Sequence, residues 1–358
     1  MSDNLDRKVD YSIVVPLVGT VHINQYEGID FFAPAGPRFD PFTSNYLEYG
    51  IYVANPSSTS GGTMVEHGSS LAAPQAAGIA AMYLSVNKFY TPPRRFVVDW
   101  LVDFSTKNEI DLIDSTDQNR LIYSNAPIIA ARNSASYAEG VAPDSIATAF
   151  SAFGAPPTSV QFQPELGPVI YTVPPATSIF YTSNGQVNFY VPPSLAPGTY
   201  AVKMYTGTNF LRSSGPIRVN QVAPGLYYGG NSVAAAHLYL VLKTTGQITD
   251  IIPFSTGGNN WNPATHSAVL VLYGTGFRFN NGNNSLQLVK GATIITNPTV
   301  PLQYVGPSSS QGQDQVNFGP LPDSMASDKG EWAIKLYVSC VAFPVGCVEA
   351  NTVKFIVK

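Results

Sequence analysis

The order of hydrophobic and polar positions changes near residue 125. Before that point, short apolar runs typical of strands alternate with longer runs typical of helices. After it, short alternating runs are separated by Pro, Gly and Asn roughly every ten residues, which is typical of a β-sandwich. The pattern predicts a mixed α/β region over residues 1–124 and an all-β region over residues 125–358.

Two helices are predicted in the first region. Residues 69–86 are small, apolar and uncharged, which predicts a helix buried on nearly all sides. A second helix is predicted with Thr91 as its N-cap and Pro92 at its first position. Its apolar residues recur at helical spacing: Phe96, Val97, Trp100, Leu101 and Phe104. Residues 28–33 predict a short buried strand, and residues 34–67 predict a long surface loop.

The second region contains an internal duplication. The sequence Gln-Val-Asn-Phe at 186–189 recurs at 315–318, and residues 145–155 resemble residues 267–277. Two tandem units of roughly 100 residues each follow, which suits one sandwich per unit. We place these units at residues 125–220 and 221–358. The Gln-Val-Asn segments are expected to form corners in which side chains bond to the backbone.

Charge and composition exclude some classes of function. Charged residues make up 12% of the chain and apolar residues 44%, and the formal net charge is -4 without a cluster of basic residues. Nucleic-acid binding therefore lacks its electrostatic basis. The sequence holds no apolar run long enough for a membrane span. Low charge with many Tyr, Asn, Ser and Gly residues is typical of secreted β-rich proteins, and we expect an extracellular location.

The two cysteines, Cys340 and Cys347, bracket a short loop near the C-terminus. Their spacing favours a disulfide over two free thiols and differs from the spacing of a metal site. A disulfide implies an oxidising compartment. The first residues lack the apolar stretch of a signal peptide, so either the protein is intracellular or its true start lies upstream. We favour the second alternative and expect the signal upstream of this chain. We expect no cofactor and no metal, because no His, Cys and carboxylate set has metal-ligand spacing.

One segment has the residues needed for nucleophilic catalysis. His67-Gly68-Ser69-Ser70 leads into the alanine-rich run predicted as a helix. A hydroxyl at that position lies near free backbone N–H groups and the positive end of the helix dipole. A tetrahedral oxyanion formed beside Ser70 would be stabilised there.

This run resembles the nucleophile motif of subtilisin-like (proteinase K-type) serine peptidases, Gly-Thr-Ser-x-Ala-x-Pro, with Ser69 in place of Thr. Three further segments resemble the same family: residues 3–12, 30–35 and 119–123. The resemblance implies that residues 1–124 are the C-terminal half of such a peptidase domain. The implied fold is a partial α/β domain, a parallel sheet with helices whose N-terminal half is missing. The implied role of Ser70 is the nucleophile that forms an acyl-enzyme with a protein or peptide substrate.

The family's triad follows the order Asp, His, Ser, so the partners of Ser70 belong before residue 1. His67 is the nearest substitute for a general base, but no third group is placed to orient it. The resemblance therefore implies a serine endopeptidase that is inactive as this chain alone. An upstream companion segment is an expected partner.

The second region resembles a tandem TIG-like, immunoglobulin-like C-terminal module of secreted Acidobacteria proteins. The matching segments are residues 133–137, 141–143, 186–188, 222–225 and 273–276. Such modules imply a spacer or adhesion role. The alternative function is thus a secreted adhesion or binding protein with a vestigial peptidase region. The Tyr and Trp residues are expected mostly to fill the sandwich cores, and a sugar-binding platform built on one of them is the less favoured alternative.

Overall fold

The chain divides into two units, residues 1–126 and residues 127–358. The structure is a computed structural model. In the second unit it describes residues 127–165, 171–173, 178–207, 210–297 and 299–358. In the first unit it describes residues 2–3, 34–36, 39–40, 45–46, 51–54, 59, 61–66, 69–86, 92–107 and 120–121.

The first unit contains two α-helices and eight short strands within its described residues. The helices are α1, Ser69–Ser85, and α2, Arg94–Asp103. The strands are β1 (Ser2–Asp3), β2 (Pro34–Gly36), β3 (Phe39–Asp40), β4 (Asn45–Tyr46), β5 (Ile51–Ala54), β6 (Thr63–Glu66), β7 (Thr106–Lys107) and β8 (Arg120–Leu121). Neither helix is long and apolar enough to cross a membrane.

The two helices pack through aromatic side chains. The rings of Tyr83 in α1 and Trp100 in α2 lie 5.2 Å apart, and both side chains are buried. Helix α2 begins at Arg94, three residues after the predicted N-cap, because a residue that precedes a proline avoids helical geometry and Pro92 precedes Pro93. The prediction that α1 is buried on nearly all sides is wrong. Among its described side chains, residues 74–85, only Tyr83 is buried.

The predicted partial α/β subtilisin-like fold is wrong. Strands β1 and β2 pair in parallel over two or three residues, and the other described strands of this unit form the antiparallel pairs β3–β4, β5–β6 and β7–β8. A subtilisin-like domain requires several parallel strands in one sheet with helices covering both faces. The described strands of the first unit form only two-stranded sheets. The larger sheets all belong to the second unit, and their strands pair in antiparallel fashion.

The first sandwich follows residue 127 and consists of two four-stranded antiparallel sheets. One sheet has the order β13-β14-β10-β9 and the other the order β12-β11-β15-β16. The strands are β9 (Ala130–Asn133), β10 (Ile146–Phe150), β11 (Ser159–Pro164), β12 (Tyr171–Val173), β13 (Ile179–Thr182), β14 (Gln186–Tyr190), β15 (Gly198–Thr206) and β16 (Phe210–Val219).

Alternation along these strands builds the core of the first sandwich. Val187 and Phe189 of β14 point inward and are fully buried, while the flanking Gln186, Asn188 and Tyr190 are half-buried on the outer face. The ring of Phe189 lies 5.9 Å from that of Phe162, which comes from the opposite sheet. The two sheets therefore enclose one apolar core.

The second sandwich has a larger sheet ordered β19-β18-β20-β24-β23, with β17 also paired to β20. Its other sheet has the order β22-β21-β25-β26, with β27 paired to β25. The strands are β17 (Gly225–Leu226), β18 (Ala236–Leu242), β19 (Ile248–Pro253), β20 (His266–Thr275), β21 (Ser285–Lys290), β22 (Thr293–Thr296), β23 (Leu302–Pro307), β24 (Asp314–Phe318), β25 (Gly330–Val338), β26 (Val348–Glu349) and β27 (Val353–Val357). Two 3-10 helices, Gly230–Ser232 and Asp323–Ser327, complete it.

An ion-pair network joins the two sandwiches. Arg278 Nη1 lies 2.5 Å from Asp144 Oδ2 of the first sandwich, and Arg278 Nε lies 2.8 Å from Asp314 Oδ1 of the second. Asp144 also accepts a hydrogen bond from the hydroxyl of Tyr190. Asp314 is fully buried, and its carboxylate accepts a further bond from the Phe277 N–H at 2.8 Å. Arg278 therefore connects carboxylates from both sandwiches.

Hydrogen bonds extend this junction along the strand ends. The Ile146 N–H at the start of β10 donates to Thr275 Oγ1 at the end of β20, over 2.8 Å. Asn133 Nδ2 donates to the carbonyl of Ala223 at 2.7 Å, and Ser134 Oγ lies 2.9 Å from the Tyr227 hydroxyl. Several segments that repeat along the sequence thus meet at this contact, which fixes one sandwich against the other.

Candidate functional site

A cleft of about 500 Å³ lies at the edge of the second sandwich. One wall is the Asn-rich turn formed by residues 280–284, which follows β20, and the other wall is the edge strand β23. The lining residues are Asn280, Gly282, Asn283, Asn284, Asn297, Leu302, Gln303, Tyr304 and Val305. None of them is charged. Five carry a side-chain amide and a sixth, Tyr304, carries a phenol hydroxyl, in addition to the backbone groups nearby.

The Asn-rich turn is fixed by its own side chains. Asn280 Oδ1 accepts bonds from the Gly282 N–H at 2.8 Å and from Asn284 Nδ2 at 2.7 Å. Gly282 has a φ of +82°, which a side chain would oppose. Asn280 Nδ2 donates to the Val305 carbonyl at 3.2 Å and so ties the turn to β23. Asparagine is well suited to such turns because its side chain bonds to nearby backbone groups.

The loop closed by Cys340 and Cys347 is hydrogen-bonded to the Asn-rich turn. These cysteines form a disulfide with an S–S distance of 2.05 Å. The Cys340 N–H donates to the carbonyl of Asn283 at 2.9 Å, and Asn283 Nδ2 donates back to the carbonyl of Cys340 at 2.9 Å. The Ser339 N–H donates to Asn284 Oδ1 at 3.1 Å. The disulfide loop and the turn therefore form one hydrogen-bonded edge.

Tyr304 forms the aromatic part of the cleft. A bulge between Leu302 and Tyr304 shifts the register of β23, and the Tyr304 ring covers Gly306 of the same strand. A Cβ on Gly306 would lie 2.9 Å from the Tyr304 hydroxyl, so the missing side chain makes room for the ring. The hydroxyl donates to the carbonyl of Pro307 at 2.7 Å. The side chain is 40% exposed and offers an apolar ring surface to a ligand.

Three amide groups of the cleft have open hydrogen-bonding capacity. Asn297 uses its oxygen to accept from Ser285 Oγ at 2.7 Å, and Gln303 uses its nitrogen to donate to the Gly319 carbonyl at 3.0 Å. Within the described part of the chain, no protein group bonds to Asn297 Nδ2, Gln303 Oε1 or Asn283 Oδ1. The cleft therefore offers a donor and two acceptors without a formal charge.

The Gln-Val-Asn segments lie within strands, so the prediction that they form corners is wrong. Gln315 and Asn317 point outward from β24, and Gln315 Nε2 donates to Asn317 Oδ1 at 2.7 Å. Val316 between them is buried in the core. The register places Tyr304 of β23 directly opposite Asn317. This amide pair is thus on the same sheet face as the aromatic ring of the cleft.

The predicted nucleophile lies elsewhere. Ser70 is the second residue of α1, and His67, the candidate base, lies outside the described residues. The role of Ser70 as a nucleophile stays a prediction, since its side chain is not among the described parts. Over the residues that the structure does describe, no group of three His, Cys, Asp or Glu side chains could hold a metal ion.

Sequence reasoning missed the cleft. The local signal was present in the run Asn-Asn-Gly-Asn-Asn at 280–284, which is dense in turn residues and amides. Tyr304 carried no comparable signal, because its exposure depends on a bulge and on the glycine two residues later.

Comparisons with known proteins give little further information. No family model matches the chain. No curated protein matches it either. One solved structure with some similarity is SGBP-B of the Bacteroides ovatus mixed-linkage glucan utilization locus, in complex with a mixed-linkage heptasaccharide. The match has a TM-score of 0.27 and 11% identity, and it covers 61% of this chain and 43% of that one. A similarity this weak establishes neither a shared fold nor a shared ligand.

These findings correct the family assignment. The interpretation as a truncated subtilisin-like serine peptidase is wrong, because the parallel α/β sheet that it requires is replaced by antiparallel β-structure. The assignment to a TIG-like module of Acidobacteria is corrected with it, since no family model matches any part of the chain.

Proposed function

We propose that this protein is a ligand-binding protein that holds a neutral oligosaccharide in the cleft of its second sandwich. The observation that supports this function best is the combination of an exposed Tyr304 ring with three open amide groups in an uncharged cleft.

The chemistry of a sugar ring matches the two kinds of surface in this cleft. Hydroxyl groups at the edge of a sugar both donate and accept hydrogen bonds, as Asn297 Nδ2 and Gln303 Oε1 require. The C–H faces of the ring are apolar and pack against an aromatic side chain such as Tyr304. Because no lining residue is charged, an acidic sugar has no cationic partner there. The cleft therefore favours neutral sugars.

The remainder of the second unit supports a role in attachment or capture. The network around Arg278 connects the sandwich that carries the cleft to the first sandwich. The disulfide between Cys340 and Cys347 fits an oxidising environment. We accordingly propose an extracellular location, with a polysaccharide or a glycosylated surface as the partner.

Isothermal titration of the full chain with soluble oligosaccharides tests this function. The panel contains neutral oligomers of glucose, mannose, xylose or N-acetylglucosamine, and an oligogalacturonate as the charged comparison. We expect binding of at least one neutral oligomer and none of the oligogalacturonate. Tyr304→Ala is expected to weaken binding about tenfold, since losing a stacked ring costs roughly 1.4 kcal/mol.

Ile294→Ala provides the matched control. Ile294 is an exposed apolar residue of the same sandwich, but it lies on β22 in the opposite sheet. Its removal is expected to leave the affinity unchanged. The proposal fails if no neutral oligomer binds, or if Tyr304→Ala and Ile294→Ala bind equally well.

A further inference from the structure

The two sandwiches place a tyrosine in the same structural position. In the second sandwich, Tyr304 follows a bulge in the edge strand β23 and lies opposite Asn317 of β24. In the first sandwich, Tyr181 follows a bulge in the edge strand β13 and lies opposite Asn188 of β14. The duplication seen in the sequence thus extends to the register of the bulged edge strand.

The amide pair beside each tyrosine is also duplicated. Gln186 Nε2 donates to Asn188 Oδ1 at 2.9 Å, as Gln315 does to Asn317 at 2.7 Å. Tyr181 is 51% exposed, more than Tyr304 at 40%. Each sandwich therefore presents an exposed phenol ring next to a preformed Gln–Asn pair on the outer face of one sheet.

The junction fixes these two positions relative to each other. Strand β14 ends at Tyr190, whose hydroxyl donates to Asp144, and Asp144 pairs with Arg278. Arg278 also pairs with Asp314, which is the first residue of β24. The end of one Gln-Asn strand is thereby connected through these side chains to the beginning of the other. The spacing between the two positions is therefore fixed by the junction.

We infer that the first sandwich carries a second contact site, formed by Tyr181, Gln186 and Asn188, for the same neutral polysaccharide chain. This inference rests on the proposed function of the cleft. The second contact site lacks an Asn-rich turn, because residues 151–157 of the first sandwich, Ser-Ala-Phe-Gly-Ala-Pro-Pro, occupy the equivalent position after β10. It is therefore the weaker of the two, and its contribution depends on a ligand already held at Tyr304.

Two linked sites have a specific consequence for affinity. When a chain is bound at one site, its binding at the other becomes intramolecular, and the effective local concentration is high. A polymer therefore binds more tightly than a short oligomer made of the same sugar. Loss of the weaker site is expected to affect the polymer and to spare the oligomer.

The experiment compares a short oligomer and the soluble polymer of the neutral sugar that binds best, using the full chain in each titration. Tyr181→Ala is expected to leave the oligomer affinity within about twofold and to lower the polymer affinity about tenfold or more. Tyr181→Phe keeps the ring and is expected to retain polymer affinity. Phe210→Ala, which removes an exposed aromatic residue from β16 in the other sheet, is expected to change neither value.

The outcomes separate this inference from the function on which it rests. If Tyr304→Ala weakens the binding of both ligands while Tyr181→Ala changes neither, the second site is refuted and the cleft stands. If the wild-type chain binds the polymer no more tightly than the oligomer, the second site is also refuted. If no saccharide of either length binds, the proposed function itself fails, and the second site fails with it.

Discussion

Asp314 shows how a single buried carboxylate is accommodated in an otherwise apolar sandwich. Its side chain is fully buried, and it accepts bonds from Arg278 Nε and from two backbone N–H groups. Burial raises the pKa of Asp314 to about 6, although Arg278 and these hydrogen bonds act in the opposite direction. The balance is set by desolvation, which favours the uncharged form.

This pKa predicts a pH dependence of stability. Because the pKa of Asp314 is higher in the folded state than its ordinary value of 3.8, folding favours the protonated form. The resulting stabilisation is complete below about pH 4 and is lost as the pH rises through 6, and it amounts to about 3 kcal/mol. Carbon NMR titration of Asp314 measures the pKa directly, and a value below 4 would contradict this account.

Arg278→Met tests the role of the ion pair in the same titration. Without the guanidinium, the pKa of Asp314 is expected to rise further, because a favourable charge is removed from a buried carboxylate. The variant is therefore expected to lose more stability at pH 7 than at pH 4, by roughly 3 kcal/mol or more at the higher pH. Urea unfolding at both values of pH provides the comparison.

A glycine at the junction allows a contact that no other residue permits. Gly276 has a φ of +88°, and a Cβ there would lie 2.1 Å from the Ala223 carbonyl oxygen. Gly276→Ala is expected to destabilise the second unit by about 2 kcal/mol or more. Gly229→Ala is the control, since its Cβ would meet nothing within 4 Å and its φ is negative, and a change under about 1 kcal/mol is expected in urea unfolding.

At the scale of elements, the disulfide loop and the Asn-rich turn act together. Several hydrogen bonds connect residues 339–341 with residues 281–284, and the disulfide limits the freedom of the loop that makes them. The backbone wall of the cleft thus depends on a covalent constraint outside the cleft itself. A preformed wall reduces the ordering cost of ligand binding.

Replacing Cys340 and Cys347 together with serine is expected to weaken binding of a neutral oligosaccharide about tenfold and to lower the free energy of unfolding by roughly 2–3 kcal/mol. Titration calorimetry and urea unfolding measure the two effects. In the same variant, amide hydrogen exchange is expected to accelerate at residues 281–284 and to remain unchanged in β14 of the first sandwich. Unchanged exchange at the turn would show that the loop does not support it.

Much of the local structure could be predicted from the sequence. The small apolar run at 69–86 gave the limits of α1 to within one residue, because a helix needs a continuous stretch of suitable residues. Alternation and turn residues after residue 125 likewise indicated short antiparallel strands. Strand pairing in the first unit could not be predicted, because a short apolar run does not specify its partner or its direction. The expectation of a parallel sheet rests instead on four short segments that resemble one family.

The site depended on register, which local patterns do not determine. In Gln-Val-Asn-Phe, alternation alone would place Gln and Asn on the outer face and Val and Phe in the core, as the structure shows. The segment is instead predicted to form a corner, because such side chains can bond to nearby backbone groups in turns. That Tyr181 and Tyr304 lie opposite the two Asn residues follows from bulges in edge strands, which no sequence period reveals.

At the scale of the whole molecule, residues 127–358 behave as one unit because the sandwiches share a polar junction. The contact consists of ion pairs around Arg278 and of hydrogen bonds between strand ends. Ion pairs shielded from water are stable only when their geometry is good and their polar atoms are hydrogen-bonded. The junction fixes the spacing between the contact sites that we propose at Tyr181 and Tyr304, and a polymeric ligand would use this spacing.

Amide hydrogen exchange of the full chain tests whether the two sandwiches are coupled. The slowest amides of β14 and β24 are expected to share one opening free energy in the wild type, because the junction makes the unit cooperative. In Arg278→Met, the opening free energy of β14 is expected to fall below that of β24 as the sandwiches uncouple. Two distinct values in the wild type would contradict the rigid arrangement.

The most direct test of the central claim is to observe the cleft amides while a neutral oligosaccharide is added. In the NMR spectrum of the nitrogen-labelled full chain, we predict that the side-chain amide signals of Asn297 and Gln303 shift in proportion to occupancy. The exposed Asn231 side chain, outside the cleft, serves as the internal reference and should not shift. Asn297 and Gln303 signals that do not shift would contradict a saccharide site in this cleft. So would shifts in Tyr304→Ala that reach half of their full size at the same oligosaccharide concentration as in the wild type.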